Sequence, residues 1–92
     1  MILEIVTPEA TIFNAEVTSV AVPGINGSFQ MLNNHAPVVS LLVEGLVRIK
    51  GDKIQIDKEY ADSFTREGDE HLLKINSGTI EMNGNKIIIL AD

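Results

Sequence analysis

Short apolar segments alternate with polar turns along the whole 92-residue chain. Ile2–Thr7 and Glu16–Val22 alternate between two faces, as strands with one buried side do. Ser28–Leu32 and Leu46–Lys50 are further short segments of this kind. No stretch repeats apolar residues at intervals of three and four over the roughly ten positions that a helix requires. The pattern therefore predicts an all-β protein.

Other segments complete the predicted set of strands. They are Ala10–Phe13, Val38–Val43, Lys53–Asp57, Lys58–Arg66, His71–Asn76, Thr79–Met82 and Lys86–Leu90. In Lys58–Arg66 the apolar residues fit either a strand or one helical turn, and we favour a strand. Turns rich in Gly and Asn separate most of them, and strands at such spacing are typical of a sandwich or barrel. We predict one domain over residues 1–92, a small β-sandwich or flattened barrel of about eight to ten short strands.

Three hairpins are predicted from turn residues. Asn83-Gly84 is the strongest signal, because its residues adopt the positive φ that a tight turn needs. Gly51-Asp52 is expected to join Leu46–Lys50 to Lys53–Asp57. A third hairpin is expected to turn through Arg66–Asp69.

Two of the predicted strands are apolar on both faces. They are Val38–Val43 and Ile87–Leu90. A sheet with one wet face should alternate cleanly between apolar and polar residues. Either these strands are central and covered on both sides, or another protein buries their outer face.

Composition places the chain among ordinary globular proteins, with 45% hydrophobic and 22% charged residues. A chain of this length buries roughly 60–68% of the surface that it exposes when unfolded, which is enough for one core. It has no cysteine, which fits a reducing compartment. The N-terminus lacks the features of a signal peptide, and no run approaches the roughly 20 apolar residues of a membrane span. We therefore expect a cytoplasmic location without direct membrane insertion.

The net charge of −6 disfavours two classes of partner. Nucleic acids are bound through Lys and Arg, and the chain has only seven of these residues. An anionic membrane surface repels an acidic protein. Much of the acidity lies at Asp57, Glu59, Asp62, Glu67, Asp69 and Glu70. Such a block is usually a solvated face, and an acidic partner site is the alternative.

Few residues have the spacing that catalysis or metal binding requires. His35 and His71 belong to no metal-ligand motif, and no serine lies in a nucleophile-elbow pattern. His35 lies in the polar bend Asn33–Pro37 between two predicted strands, where we expect its ring to hydrogen-bond backbone groups. We predict no catalytic residue, no cofactor, no metal site and no small-molecule substrate.

Several segments, in order along the chain, resemble one known family. They are Leu3–Phe13, Val20–Gly24, Gly27–Pro37 with its Asn-His-Ala-Pro ending, Glu44–Ile49, Gly78–Met82 and Leu90–Asp92. Together they cover most of the length. They resemble the N-terminal β-sandwich domain of the epsilon subunit of the rotary F-type ATP synthase, which is called delta in mitochondria.

The resemblance implies a mechanical function in the central stalk. Such a domain is not an enzyme. It binds the gamma subunit and rests on the ring of c subunits, so that proton or sodium flow is coupled to ATP synthesis. The implied location is peripheral, on the cytoplasmic side of the cell membrane.

The alternative function is a small β-sandwich module that binds a ligand such as a carbohydrate. Sites of that kind usually expose aromatic side chains. This chain has only four aromatic residues, Phe13, Phe29, Tyr60 and Phe64, and no Trp.

The resemblance also assigns two sets of contact residues. The set facing the c-ring is Gly27, Ser28, Phe29, Gln30, Met31, Asn34 and His35. The set facing gamma is Thr7, Val38 and Val39. Core packing is the alternative role for the apolar members. Relatives often have an acidic residue at position 28, so the serine here weakens the expectation of a salt bridge.

The sequence departs from the family pattern in two places. Many relatives continue past Leu-Ala-Asp into a helical hairpin that senses ATP or inhibits rotation, whereas this sequence stops at Asp92. If 92 residues is the natural length, we expect neither of those functions. The acidic segment Ile54–Leu72 is also longer than the resemblance leads us to expect.

Overall fold

The computed structural model describes all 92 residues, Met1–Asp92, as ten strands and one short helix. The strands are β1 (Ile2–Val6), β2 (Thr11–Glu16), β3 (Ser19–Gly24), β4 (Gly27–Leu32), β5 (Val38–Leu42), β6 (Gly45–Lys50), β7 (Phe64–Glu67), β8 (Glu70–Ile75), β9 (Gly78–Asn83) and β10 (Lys86–Ala91). The helix is a single 3-10 turn, Ala61–Ser63. The protein is all-β, as the apolar pattern predicts.

The strands form one hydrogen-bonded sheet that folds over into two layers. Its order is β2-β1-β10-β9-β5-β3-β6-β8-β7, and β4 pairs with β3 off this path. Between β5 and β3 the only register pair is Leu42 with Gly24, and the Val43 N–H donates to the Pro23 carbonyl over 2.9 Å beside it. The sheet turns at this corner. One layer contains β2, β1, β10, β9 and β5, and the other contains β7, β8, β6, β3 and β4.

The two sides of this sandwich are closed to different degrees. On one side β2 faces β7, and the ring centroids of Phe13 and Phe64 lie 6.0 Å apart. On the other side the edge strands β4 and β5 are joined by the bend Asn33–Pro37. A cleft of about 370 Å³ lies there between the tip of the β3–β4 hairpin and β5. We call this side the open seam.

A single core of 19 buried apolar side chains lies between the layers. The inner positions of neighbouring strands meet in register: Leu3 pairs with Ile87 and Ile5 with Ile89, and all four are fully buried. Each such aliphatic side chain contributes about 1.5–3 kcal/mol through its burial. A shift of one residue would move this whole set to the surface, so the alternating sequence fixes the register.

The β9–β10 hairpin confirms the strongest turn signal, with one refinement. Asn83 and Lys86 are the last paired residues, so the two turn residues are Gly84 and Asn85 rather than Asn83 and Gly84. Gly84 has a φ of 63°, which glycine adopts at little cost.

The predicted hairpin between Leu46–Lys50 and Lys53–Asp57 is wrong. β6 pairs with β3 and also with β8, so it has no free edge for the later segment. Lys53–Asp57 contains no strand, and its Ile54 and Ile56 side chains pack against the core. The alternating apolar residues of this segment cover the core with one side of the chain, but the segment forms no hydrogen-bonded pairs with a strand.

The strand predicted over Lys58–Arg66 is correct only in its second part. β7 begins at Phe64 and pairs with β8, and the chain turns at Gly68-Asp69 as expected. The preceding residues turn locally instead: the Tyr60 N–H donates to the Asp57 carbonyl (2.9 Å), and the Ser63 N–H donates to the Tyr60 carbonyl (3.0 Å). These turns satisfy backbone groups while Tyr60 packs against the core.

His71 has an unusual environment within β8. It pairs with Ile49 on β6 and Arg66 on β7, and its ring Nδ1 is buried without a hydrogen-bond partner. Burial, and secondarily the Arg66 guanidinium, lowers the pKa of His71 from the ordinary value of 6.5. Folding therefore disfavours the charged form of this ring.

We predict that the folded domain loses stability as the pH falls below the ordinary pKa of histidine. The unfolded chain binds a proton at His71 near pH 6.5, whereas the folded chain does so only at lower pH, so acid favours unfolding. Urea denaturation between about pH 6.5 and pH 5 measures this decline. His71→Gln should flatten it. His35→Gln leaves His71 in place and should retain it, and equal slopes in the two variants would contradict the assignment.

Candidate functional site

One long segment of the chain has no charged residue. Gly24–Val43 lacks Asp, Glu, Lys and Arg, although 22% of all residues are charged. It comprises the tip of the β3–β4 hairpin, β4, the bend and β5, which together surround the open seam. Charged residues are depleted in the cores of protein interfaces. The open seam and the strands beside it therefore have the composition of a candidate binding surface.

The layer that contains β5 has an apolar outer surface. The strand registers align Val39, Glu81, Ile88 and Glu4 in one row and Leu41, Thr79, Leu90 and Val6 in the next. Val39, Leu41 and Leu90 are 77%, 59% and 51% exposed. We call this surface the outer apolar face; it consists of Ile2, Glu4, Val6, Val39, Leu41, Thr79, Glu81, Ile88 and Leu90.

This face answers the question raised by the strands that are apolar on both sides. The inner residues of β5 and β10 contact the core, and this chain does not cover their outer residues. Contiguous exposed apolar patches on soluble proteins mark interaction sites. The arrangement favours the second explanation, in which another protein covers the outer side.

The second layer presents a different surface along β4. Ser28, Gln30 and Leu32 alternate outward, while Ile25 lies at the tip of the hairpin. Ile25 is 60% exposed and Leu32 is 51% exposed. Asn34 and His35 continue this edge into the bend. We call Ile25, Ser28, Gln30, Leu32, Asn34 and His35 the β4 rim.

Local hydrogen bonds fix the shape of the bend. Asn34 has a φ of 66°, and the His35 N–H donates to the Leu32 carbonyl over 3.2 Å. The His35 Nδ1 lies 2.7 Å from the Ala36 carbonyl oxygen, to which it donates. The Asn33 side-chain oxygen accepts from the N-terminal amine at 3.2 Å. The prediction that the His35 ring bonds backbone groups of its own turn is confirmed.

The residues expected to face gamma have different exposures. Val39 is the most exposed of them and lies on the outer apolar face. Thr7 lies at the far end of the same face, where it lines a cleft of about 430 Å³ with Val6 and Leu90. Val38 is half-buried and packs against the core. Only Val39 is therefore part of the outer apolar face, and Thr7 lies beside it.

The residues expected to face the c-ring lie along β4 and the bend, about 20 Å from end to end at the rise of a strand. Gly27, Ser28, Gln30, Asn34 and His35 are exposed. Phe29 is half-buried, and its ring leaves no room for a side chain at Gly24.

Met31 is the exception in this set because it has no exposed surface. It pairs with Val20 and points into the core. Its side chain supports β4 from inside, so it does not present a contact surface in this structure.

Several surface residues were not singled out from the sequence. They are Ile25 and Leu32 on the β4 rim and Leu41, Ile88 and Leu90 on the outer apolar face. The signal for the latter three was present, because their strands are apolar at consecutive positions. Which of the two sides is exposed depends on the layer opposite them, which the pattern does not specify.

Three structural features bear on metal binding, sugar binding and membrane crossing. No group of three or more His, Asp and Glu residues could hold a metal ion. All four aromatic rings are in the core or packed against it, so none forms an exposed platform for a sugar. No helix of the structure is long and apolar enough to cross a membrane.

The acidic segment is held by ion pairs at its C-terminal end. Arg48 Nη1 lies 3.2 Å from a carboxylate oxygen of Glu70 and 3.9 Å from one of Glu67. Burial, followed by the neighbouring Glu59 and Asp57, raises the pKa of Tyr60. The remaining acidic side chains of the segment are exposed, in agreement with a solvated face.

The fold is a small β-sandwich domain that exposes apolar side chains on two surfaces, the outer apolar face and the β4 rim. The family model described as "ATP synthase, Delta/Epsilon chain, beta-sandwich domain" matches residues 1–92. The chain belongs to this family.

Similar proteins of known identity agree with this membership. The chain is 39% identical over 90 residues to the ATP synthase epsilon chain of Chlorobium limicola, covering 98% of this chain and 86% of that one. It is 38% identical over 90 residues to the ATP synthase epsilon chain of Campylobacter concisus, covering 98% of this chain and 59% of the relative. The chain thus spans most of one relative and little more than half of the other.

Solved structures support the fold. A chain in the central stalk and c-ring structure of the Tetrahymena thermophila mitochondrial ATP synthase has a TM-score of 0.71 at 14% identity, covering 99% of this chain and 62% of that chain. A chain in the Euglena gracilis mitochondrial ATP synthase structure has a TM-score of 0.75 at 17% identity. The match covers 99% of this chain and 49% of that chain.

We predict that two substitutions at Asn34 differ in their effect on stability. Valine is strained at the observed φ of 66°, so Asn34→Val should lower the free energy of unfolding by about 1–2 kcal/mol. Glycine adopts this conformation freely, so Asn34→Gly should retain the wild-type value within about 0.5 kcal/mol. Urea denaturation of both variants gives the comparison. Equal losses would show that the Asn34 side chain, and not its backbone conformation, holds the bend.

Proposed function

We propose that this chain is a rotor subunit of an F-type ATP synthase that binds both the gamma subunit and the c-ring. It thereby couples ion flow through the ring to ATP synthesis. One observation carries the proposal: the domain has two exposed surfaces with apolar side chains, the outer apolar face and the β4 rim, which lie on different layers and meet at the open seam. A coupling subunit needs two contact surfaces held rigidly relative to each other, and the shared core supplies that rigidity.

The outer apolar face is the proposed surface for gamma. Ile2, Val39, Leu41 and Leu90 are exposed in the isolated chain, and burying them against a partner gives a favourable hydrophobic contribution. Of the residues that we expect to contact gamma, Val39 lies on this face at β5, and Thr7 lies beside Val6 at its other end. Val38 lies on the inner side of β5, where its packing against the core holds the strand in place.

The β4 rim is the proposed surface for the c-ring. Five of the residues that the resemblance assigns to the ring are exposed at or beside it: Gly27, Ser28, Gln30, Asn34 and His35. Phe29 and Met31 hold the hairpin against the core, and Ile25 and Leu32 are the exposed apolar anchors. A polar rim around a few apolar anchors is the usual composition of a protein interface.

The proposed role is non-catalytic, without a cofactor or a small-molecule substrate. The chain would act at the cytoplasmic side of the membrane as a peripheral member of the complex. The packing of the aromatic rings into the core supports this role over a carbohydrate-binding module.

We predict that Val39→Asp and Leu41→Asp each weaken binding to the gamma subunit by about 30-fold or more. Each change places a carboxylate within a contact that excludes water, and loss of an interface anchor costs about 2 kcal/mol or more. Both side chains are exposed, so the variants should fold normally. Isothermal titration with the gamma subunit of the same ATP synthase measures the change.

Leu46→Asp is the matched control for these two variants. Leu46 is 38% exposed on β6, outside both proposed surfaces, so its replacement should leave gamma binding unchanged. Wild-type affinity in both Val39→Asp and Leu41→Asp would refute the assignment of the outer apolar face.

We predict that Ile25→Asp and Leu32→Asp separate ring binding from gamma binding. Both residues are exposed on the β4 rim and lie outside the outer apolar face. The variants should bind gamma normally, but their complexes with gamma should be retained at least about 10-fold less on detergent-solubilised c-rings. Co-sedimentation quantifies retention, with Leu46→Asp again as control. Undiminished retention of both variants would exclude the β4 rim as the ring contact.

A further inference from the structure

Glu81 is the one charged group on the outer apolar face that has no partner. It lies on β9 between Val39 of β5 and Ile88 of β10, and its side chain is exposed. The other acidic residue of the face, Glu4, forms an ion pair with Lys86 at 3.5 Å. The chain's remaining ion pairs involve Glu44, Glu67 and Glu70, and no side-chain hydrogen bond involves Glu81.

The position of Glu81 among apolar side chains means that a partner covering this face would also dehydrate its carboxylate. Apolar side chains flank it within its row, and Leu41 and Leu90 lie in the next row. A partner that covers these residues must also remove water from the carboxylate. An ionised carboxylate loses far more in an apolar contact than an amide does, unless a cation replaces the water.

The chain itself has no free cation at this position. Lys86 is the cationic residue of the adjoining strand, and its ammonium group is paired with Glu4. Lys74, on the other layer, is paired with Glu44 at 3.7 Å. The group that neutralises Glu81 in a complex must therefore come from the partner.

We propose that Glu81 receives a lysine or arginine side chain of the gamma subunit at the centre of the outer apolar face. This inference rests on the proposed function and specifies the chemistry of the partner surface: apolar, with one cationic side chain at its middle. An arginine fits best, because its planar guanidinium can bind both carboxylate oxygens and is less strongly hydrated than an ammonium group. The pair would attract the two proteins and would also fix the register of the gamma surface on the outer apolar face.

Glu81→Gln distinguishes a paired carboxylate from an unpaired one by the sign of its effect. If gamma supplies a cation, the glutamine leaves that cation unpaired in the interface, and binding should weaken by about 30-fold or more. If no cation is present, the amide is easier to dehydrate than the carboxylate, and binding should stay the same or tighten. Isothermal titration of the chain with the gamma subunit of the same ATP synthase measures the dissociation constant.

Two further measurements address the cation directly. Affinity of the wild type should fall with added salt more steeply than that of Glu81→Gln, because the variant has lost one charge pair. Glu81→Lys should bind more weakly still, and replacing one basic residue of gamma by glutamate should restore part of its affinity. Failure of every basic-to-acidic replacement in gamma to restore binding would overturn the proposal.

Controls separate this inference from the proposed function. Glu59→Gln removes an exposed carboxylate in the acidic segment and should bind gamma normally. Val39→Asp tests the face itself. If Val39→Asp weakens binding and Glu81→Gln does not, only the cation pair is refuted. If Val39→Asp and Leu41→Asp both bind as the wild type does, the face assignment fails and the Glu81 pair with it. Thermal melts should be unchanged for Glu81→Gln, since the side chain has no partner within the chain.

Discussion

The architecture depends on the narrow corner at which the sheet passes from one layer to the other. Leu42 and Gly24 are its only register pair, with the bond from the Val43 N–H to the Pro23 carbonyl beside it. Because β5 is paired along its length with β9 alone, it belongs to the first layer, while β4, only one bend away, belongs to the second. The corner therefore sends the uncharged segment Gly24–Val43 across both layers. This segment supplies Val39 and Leu41 to the outer apolar face of one layer and the whole β4 rim of the other.

This arrangement suits a subunit that transmits force between two partners. The two surfaces share a core of 19 side chains, so neither can shift relative to the other without disturbing close packing. The exposed apolar face would be a liability in a free protein. The net charge of −6, carried entirely by residues outside Gly24–Val43, opposes association between copies of such a domain.

The errors in the predicted fold have a common cause. Lys53–Asp57 alternates like a strand, but both edges of β6 are already paired, and so its apolar residues cover the core without a ladder. Among the candidate contact residues, Met31 and Val39 are equally apolar and both lie on edge strands. Met31 is completely buried and Val39 is 77% exposed. The side of a strand that faces the core depends on the layer that the strand joins.

The sequence by itself determined the all-β class, the spacing of most strands, the β9–β10 hairpin, the role of the His35 ring in its bend and the family resemblance. These features depend on local alternation, turn chemistry and motifs that are readable within a few residues. The tertiary structure alone decided which edges are paired, which side of β5 and β10 is exposed, and that Glu81 lies unpaired between apolar neighbours. Those properties are set by residues distant in sequence, since a strand's outer side is defined only when another layer covers its inner side.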